Sequence, residues 1–358
     1  MKISINSTFS YIKCNLNYGS VLQCYALQKY LKGRGHTPEH LRDYRANPKY
    51  IIRRLKNIRY FRGFCAKTRA TIRVQRFMKK YISFSKRGYL SDKKLKKHPP
   101  QVDCHIAGSD QIWHNDNGSR YLDYAPENTL KLSYAASFGK PDISKEIKAN
   151  IKPLLQRFDG ISVRETSAVD IISSMDLKSQ WVLDPTLLID SEEYPYKECH
   201  DKDYFYCYFL NLSNKESVRF SSIKKIAQDM GKDLKVTAPL NYMLFSKEKP
   251  IFPSLEEWLG RYKNADCIFT NTYHGLLFCI IFKKQFVLFI QNSGQKAENV
   301  RFYSLLKLLS LEDRMLGNDA SKEDIKSIMD KKIDYDKVYE TIFEQRKITD
   351  NFFKQFGI

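Results

Sequence analysis

Apolar positions along the chain change period several times, and the changes mark out two alternating strand–helix units. Lys2 to Phe9 alternates at period two, as a short strand does, and a polar stretch from Tyr11 to Gly19 follows. Val21, Leu22, Tyr25, Leu27 and Leu31 then recur at helical spacing, with Gly33 and Gly35 as the stop. Strand, loop and helix in that order open a nucleotide-fold unit. Next, Ile51, Ile52, Leu55, Ile58, Phe61 and Phe64 suggest an amphipathic helix that Ile72 to Met78 continues.

Four short apolar runs follow, each ending in polar or glycine residues. Val102–Ala107 ends at Gly108, Ser109, Asp110 and Gln111; Lys131–Ala136 ends at Ser137, Phe138 and Gly139. Gly160–Val163 ends at Arg164 and Glu165, and Gln180–Leu183 at Asp184, Pro185 and Thr186. In an open α/β sheet ligands bind beyond the carboxyl ends of the strands, so these tips are expected to share one face.

After Pro195 the pattern restarts. Tyr204–Leu210 reads as a strand, Ser217–Gly231 as a helix and Lys235–Thr237 as a weak strand. Ser254 and Glu257 form a capping box ahead of a helix. Asp266–Thr270, Gly275–Phe282 and Gln285–Ile290 read as strand, helix and strand, and Tyr335–Phe356 as a long terminal helix. The expected division is an N-terminal Rossmann-like lobe over 1–190, a C-terminal one over 191–320, and a terminal helix within 321–358 packing back on the first lobe. The two lobes are expected to face a cleft.

Charge sharpens this picture. Of a net +20, the stretch 45–97 holds 19 Lys and Arg against one acid, Asp92. It reads as a basic helical insertion in the first lobe that meets something anionic. No nucleic-acid motif is visible, and a solvated helical face is the bland alternative; an anionic membrane surface is the favoured partner. The start of the chain lacks a secretory leader, and no apolar run is long enough to span a bilayer, so a cytoplasmic protein, peripheral at most on the inner face of the membrane, is expected. The eight cysteines show neither CxxC pairs nor zinc spacing and read as reduced and structural, and no metal cluster is evident.

The sharpest chemical feature is Thr270–Leu276, where a strand ends, His274 and Gly275 turn the chain, and an apolar helix begins. A helix N-terminus attracts anions, and a histidine there can hold phosphate or donate a proton; a buried histidine bound to a carbonyl is equally compatible. Arg164 suits a carboxylate or phosphate, although a structural ion pair with an acid is the commoner use of such a residue. Asn17 and Gly19 resemble a phosphate-approach loop with too few glycines to be diagnostic. Ser109, Asp110 and Gln111 suit sugar hydroxyls or a helix cap, and Asp184–Pro185 reads as a turn.

As an ordered set these stretches resemble the polysaccharide pyruvyltransferase family. The resemblance rests on Asn17–Gln28, Gly108–Trp113, Ser133–Gly139, Ile161–Glu165, Leu183–Leu187 and Asn271–Leu276, and it spans residues 1 to about 310. It implies a GT-B-like fold and transfer of pyruvate from phosphoenolpyruvate, as co-substrate with no cofactor, onto a sugar of a polysaccharide precursor as a cyclic ketal. The resemblance assigns His274 the acid or phosphate-assisting role and Arg164 the donor anion. Asn17, Gly19, Asn271, Tyr273, Gly275 and Arg301 are the further donor-site candidates; Ser109, Asp110, Gln111, Ser137 and Phe138 are those for a glycan or lipid-linked acceptor. Many relatives carry arginine where this chain has Thr272, so Arg301 or Lys296 is expected to replace that charge. A GT-B glycosyltransferase using a nucleotide sugar, for which Glu298 would hold ribose, is the competing reading, and a non-catalytic binding subunit is a third.

Overall fold

A computed structural model describes residues 1–8, 16–44, 61–290 and 299–358, with side chains described from Thr68 in the second of these helices onward. The expected helix over 51–64 therefore falls mostly outside the described residues, as do Lys296 and Glu298. Contacts group the chain into two compact units. One comprises Met1–Arg54, Met78–Ile189 and Thr341–Ile358, the other Leu55–Phe77 and Asp190–Glu340. Part of the basic stretch expected in the first lobe thus clusters with the second unit.

The first unit is built on β1 (Lys2–Asn6), α1 (Tyr18–Gly33) and β2 (Thr37–Asp43). Helix α2 (Phe61–Tyr81) leads into β3 (Phe84–Tyr89), α3 (Asp92–Lys97), β4 (Cys104–Asp110) and β5 (Leu130–Ala136). It is completed by α4 (Lys145–Leu155), β6 (Ser162–Val163), α5 (Thr166–Ser173) and β7 (Gln180–Trp181). The seven strands are all parallel, in the order β3-β2-β1-β4-β5-β6-β7. Strand order reverses between β1 and β4, which makes their carboxyl ends the natural ligand crevice of this sheet. Strands β2 and β3 escape a reading of apolar period, because TPEHLRD and FSKRGY hold few apolar residues. Pairing holds them in the sheet, β2 on β1 and β3 on β2.

The central strands are buried on both faces, as parallel strands between helices must be. All seven residues of β4 are buried. One face packs on a cluster around Trp113, Tyr121, Phe138, Ile151, Leu155 and Ile172. On the other, Tyr134 stacks on Phe353 at 4.9 Å between ring centroids.

The second unit contains β8 (Tyr204–Tyr208), α6 (Phe220–Asp229), β9 (Asp233–Thr237), α7 (Leu255–Asn264) and β10 (Cys267–Thr270). It continues with α8 (Tyr273–Ile281), β11 (Gln285–Phe289), α9 (Val300–Leu308), β12 (Met315–Leu316) and α10 (Lys322–Asp330). Its five strands are also parallel, in the order β12-β11-β10-β8-β9, so here the reversal lies between β8 and β10. The capping box at Ser254 and Glu257 forms as the sequence predicts. Apolar after its first turn, α8 is buried at every position.

The terminal helix α11 (Tyr335–Lys354) belongs to both units. Its first turns bind the second, through Tyr335 to the carbonyls of Cys279 and Lys284 and Tyr339 to that of Ile281. Its later turns bind the first, where Arg346 donates to the carbonyls of Leu187 and Ile189 and Asp350 accepts from Tyr30 and Arg34. No described helix is long and apolar enough to cross a membrane.

Candidate functional site

At the carboxyl end of the first unit's sheet, the tips of β4, β6 and β7 bring three charged side chains together, beginning at the reversal point with β4. Arg164 donates to Asp184 Oδ2 at 2.8 Å and reaches Asp110 Oδ1 at 3.5 Å. The Arg164 and Asp184 side chains are fully buried, while Asp110 keeps 12% of its side chain exposed. Asp184 also caps the turn after it, accepting from the Thr186 amide and hydroxyl. Ser109 reaches the same carboxylate at 3.4 Å. Across the reversal point, Thr8 beyond β1 donates to Asp110 Oδ2 at 2.9 Å. Asp110 is thus held from two sides, with φ of +68° in the left-handed region.

Of the two uses that the sequence leaves open for Arg164, donor anion and structural ion pair, the geometry displays the ion pair. The guanidinium is sealed from solvent and faces two carboxylates, so it positions Asp110 and neutralises Asp184. Asp184, read from sequence as a turn residue, is the buried counter-ion of the site. Only its place after a strand tip hinted at that.

The neighbouring candidates divide in two. Ser137 and the amides of Phe138 and Gly139 all donate to Glu165 Oε1, and the Phe138 ring packs on Trp113. Ser109 donates to the Ala135 carbonyl at 3.1 Å. Ser109, Ser137 and Phe138 are buried and brace the strand tips. Gln111 differs: its side-chain nitrogen is buried with no hydrogen-bond partner. A Cβ on Gly139, at φ +66°, would lie 2.1 Å from that nitrogen, so glycine is what leaves the amide its place. Asn17 is the N-cap residue of α1, its side chain forming no cap and its carbonyl accepting from Ser20, and Gly19 is buried in the first turn.

A second polar cluster lies at the same reversal point, under the tip of β2. His40 donates from Nδ1 to the Leu41 carbonyl, which leaves Nε2 to accept from the Ser7 hydroxyl, both at 2.9 Å. Burial pulls this imidazole down to about 4, against smaller upward pulls from the Leu41 carbonyl and Asp43. It is a neutral ring in the core.

The second unit presents a different chemistry at β8 and β10. Asn271 latches the two tips together, accepting from the Leu210 amide at 3.0 Å and donating to its carbonyl at 2.7 Å. Its amide thus serves the fold through both its oxygen and its nitrogen. Thr272, where an arginine was expected from the family pattern, is the N-cap of α8 and accepts from the Gly275 amide at 3.0 Å. Gly275 has no room for a side chain, since a Cβ would fall 2.3 Å from Thr270 Oγ1 and 2.4 Å from Thr272 Oγ1. Tyr273 and His274 fill the first turn beside it, His274 6% exposed, their rings 5.7 Å apart. Arg301 lies over the Tyr273 ring at 5.6 Å, so the structure brings a permanent cation to this helix start. Among the described residues no group of three or more His, Cys, Asp or Glu is arranged to hold a metal ion.

Solved structures with this two-domain arrangement include an MnaA–UDP complex from S. aureus, with 11% identity and a TM-score of 0.54 over 95% of this chain and 90% of that one. A structure described as a putative UDP-N-acetylglucosamine 2-epimerase from Listeria monocytogenes gives 9% and 0.55 over 99% and 97%. The UDP-GlcNAc 2-epimerase of Methanocaldococcus jannaschii gives 12% and 0.54 over 93% of each. At such identities the likeness shows the fold alone, an α/β, GT-B-like pair of parallel-sheet domains. The curated proteins contain no sequence match. The family model for polysaccharide pyruvyl transferase matches residues 17–293, a stretch that contains the Asp110 cluster and the His274 helix start, and the chain belongs to that family.

Proposed function

We propose that the protein transfers pyruvate from phosphoenolpyruvate to a sugar of a cell-surface or capsular polysaccharide precursor, forming a cyclic ketal. The observation that carries this reading is the start of α8, where His274 and Arg301 stand beside a helix N-terminus. Phosphoenolpyruvate carries a carboxylate and a phosphate, and both are anions that such a terminus and a guanidinium attract.

In the proposed reaction His274 acts as the acid. Protonation of the enol CH2 makes it a methyl group and leaves C2 electrophilic. A sugar hydroxyl adds to C2 and loses its proton to a base. Phosphate then departs with the C2–O electron pair, and a second hydroxyl of the same sugar closes the ketal, losing its own proton. Within the first unit taken by itself, Asp110, held by Arg164 and Thr8 near the Gln111 amide, is the group suited to the hydroxyls of an acceptor sugar.

The test is a donor screen in which phosphoenolpyruvate and a panel of nucleotide sugars are offered with a glycan acceptor. Release of phosphate with the acceptor gaining the mass of a pyruvyl ketal supports the reading. Use of a nucleotide sugar with phosphoenolpyruvate ignored would move the protein to the glycosyltransferases, the reading that the UDP complexes among its structural likenesses keep in view. His274→Ala is expected to lower kcat at least about 100-fold, the usual scale for removing a general acid. Unchanged kcat in that variant would remove His274 from the mechanism.

A further inference from the structure

The basic stretch carries one feature that charge alone does not explain. Leu90, just beyond β3, is 62% exposed, more than any other described large apolar side chain. It sits inside a run of uncompensated charge. Lys86 and Arg87 precede it on the edge strand, and Lys93, Lys94 and Lys97 follow on α3, all exposed and none in a described ion pair with an acid. Between Lys79 and Lys97 the one acid is Asp92, and Asp123 engages only Lys96, at 2.6 Å.

Protection of an open sheet edge accounts for Lys86 and Arg87. The favourable field at the end of α3 accounts for its last lysines. Neither accounts for a bare leucine at the centre of the run, where water would otherwise be met by a charged tip. A single aliphatic side chain ringed by flexible ammonium groups has the composition of an interfacial anchor. Base stacking on single-stranded nucleic acid would call for exposed aromatic rings instead, and Tyr89 is buried.

Position gives the feature a use. All strands of the sheet are parallel, so Leu90 and α3 leave β3 at the same edge as Asp110 leaves β4. Three strand spacings separate β3 from β4, about 14 Å. We infer that the β3–α3 corner docks the first unit on an anionic lipid surface, with Leu90 inserted among the headgroups and the lysines on their phosphates. An acceptor anchored in that surface would be held beside the edge that carries Asp110; this second step rests on the acceptor role given to that edge above.

The full chain is mixed with vesicles of phosphatidylcholine alone or with added phosphatidylglycerol, and sedimented binding is measured. Binding is expected to anionic vesicles only. Combined Lys86→Gln, Arg87→Gln, Lys93→Gln, Lys94→Gln and Lys97→Gln is expected to weaken it more than tenfold, since each basic residue near such a surface contributes on the order of fivefold. Leu90→Ser is expected to abolish the part of the binding that survives high salt. The same charge loss at exposed lysines of the second unit, Lys202, Lys224, Lys247, Lys249 and Lys307, is the comparison. Equal binding to neutral vesicles, or equal losses in the two five-fold variants, would overturn the assignment. Turnover of phosphoenolpyruvate on a water-soluble acceptor is expected to be unchanged in the corner variant. A wild-type chain that binds anionic vesicles yet ignores phosphoenolpyruvate would leave the surface standing and remove the catalytic reading instead.

Discussion

The two units solve the same architectural problem with opposite chemistry. Each is a parallel sheet with one reversal point, and each fastens strand tips at its carboxyl end with polar side chains. In the first unit the fastening is ionic: Asp110, Arg164 and Asp184 share buried charge across three tips. In the second it is neutral: Asn271 clips Leu210, and Thr272 caps α8. Buried charges cost several kcal/mol each to desolvate, and they hold only while every partner is present. Neutral caps cost little and contribute little. The first unit is therefore the brittle one, with the partly exposed Asp110 carboxylate at its tip, and the second is the tolerant one.

The largest expected effect follows from that brittleness. Arg164→Ala leaves two carboxylates without their cation and is expected to cost about 3–5 kcal/mol in denaturant unfolding. Adding Asp184→Asn to that variant should recover part of the loss, because one uncompensated charge is gone. If Arg164→Ala unfolds as the wild type does and only its KM for phosphoenolpyruvate rises, the guanidinium binds the donor after all and the contrast between the units is broken.

Acid sharpens the same contrast. Burial pulls His40 and, beside Lys131, His105 down to about 4, and both lie in the first unit's sheet. A histidine free in the unfolded chain takes its proton near pH 6.5, so between pH 6.5 and 4 the unfolded state binds more protons than the folded one. The stabilisation by the neutral rings is complete above that window and is lost as pH falls through it, by about 3 kcal/mol for each ring. Hydrogen exchange at pH 5 should therefore show β2 and β4 opening before β8 and β10. Uniform loss of protection in both sheets would count against it.

How much of this could be read in the sequence depends on what each residue does. Strands β4, β5, β8, β10 and β11 are apolar runs, and burial on both faces makes such runs conspicuous. Strands β2 and β3 are not, because an edge strand and its neighbour are specified by pairing rather than by their own composition. The helix start at His274 was legible for a local reason: cap, turn and apolar run are contiguous, and each leaves its mark within five residues. Arg164 was legible as a charge after a strand, and an ion pair as its commoner use, but not which acids fill it. Its partners, Asp110 and Asp184, lie 54 and 20 residues away, and only the sheet order brings them together.

The smallest expected effect is the one that isolates the neutral fastening. Thr272→Ala removes the hydroxyl that receives the Gly275 amide, and loss of an N-cap costs about 1 kcal/mol. That loss alone would be unremarkable on the surface of any protein. Here the capped turn carries Tyr273 and His274, and the Gly275 position has no slack, since Thr270 Oγ1 and Thr272 Oγ1 occupy the space a Cβ would need. Releasing the cap should therefore let the first turn fray while the remaining turns of α8, buried on all sides, stay in place. The variant is expected to unfold only slightly earlier than wild type yet to bind phosphoenolpyruvate more weakly, whereas Thr272→Ser, which restores the oxygen, should recover both. If stability falls by that amount and donor binding does not change, the cap serves the helix alone, and the anion site of the second unit rests on Arg301 rather than on the geometry of the turn.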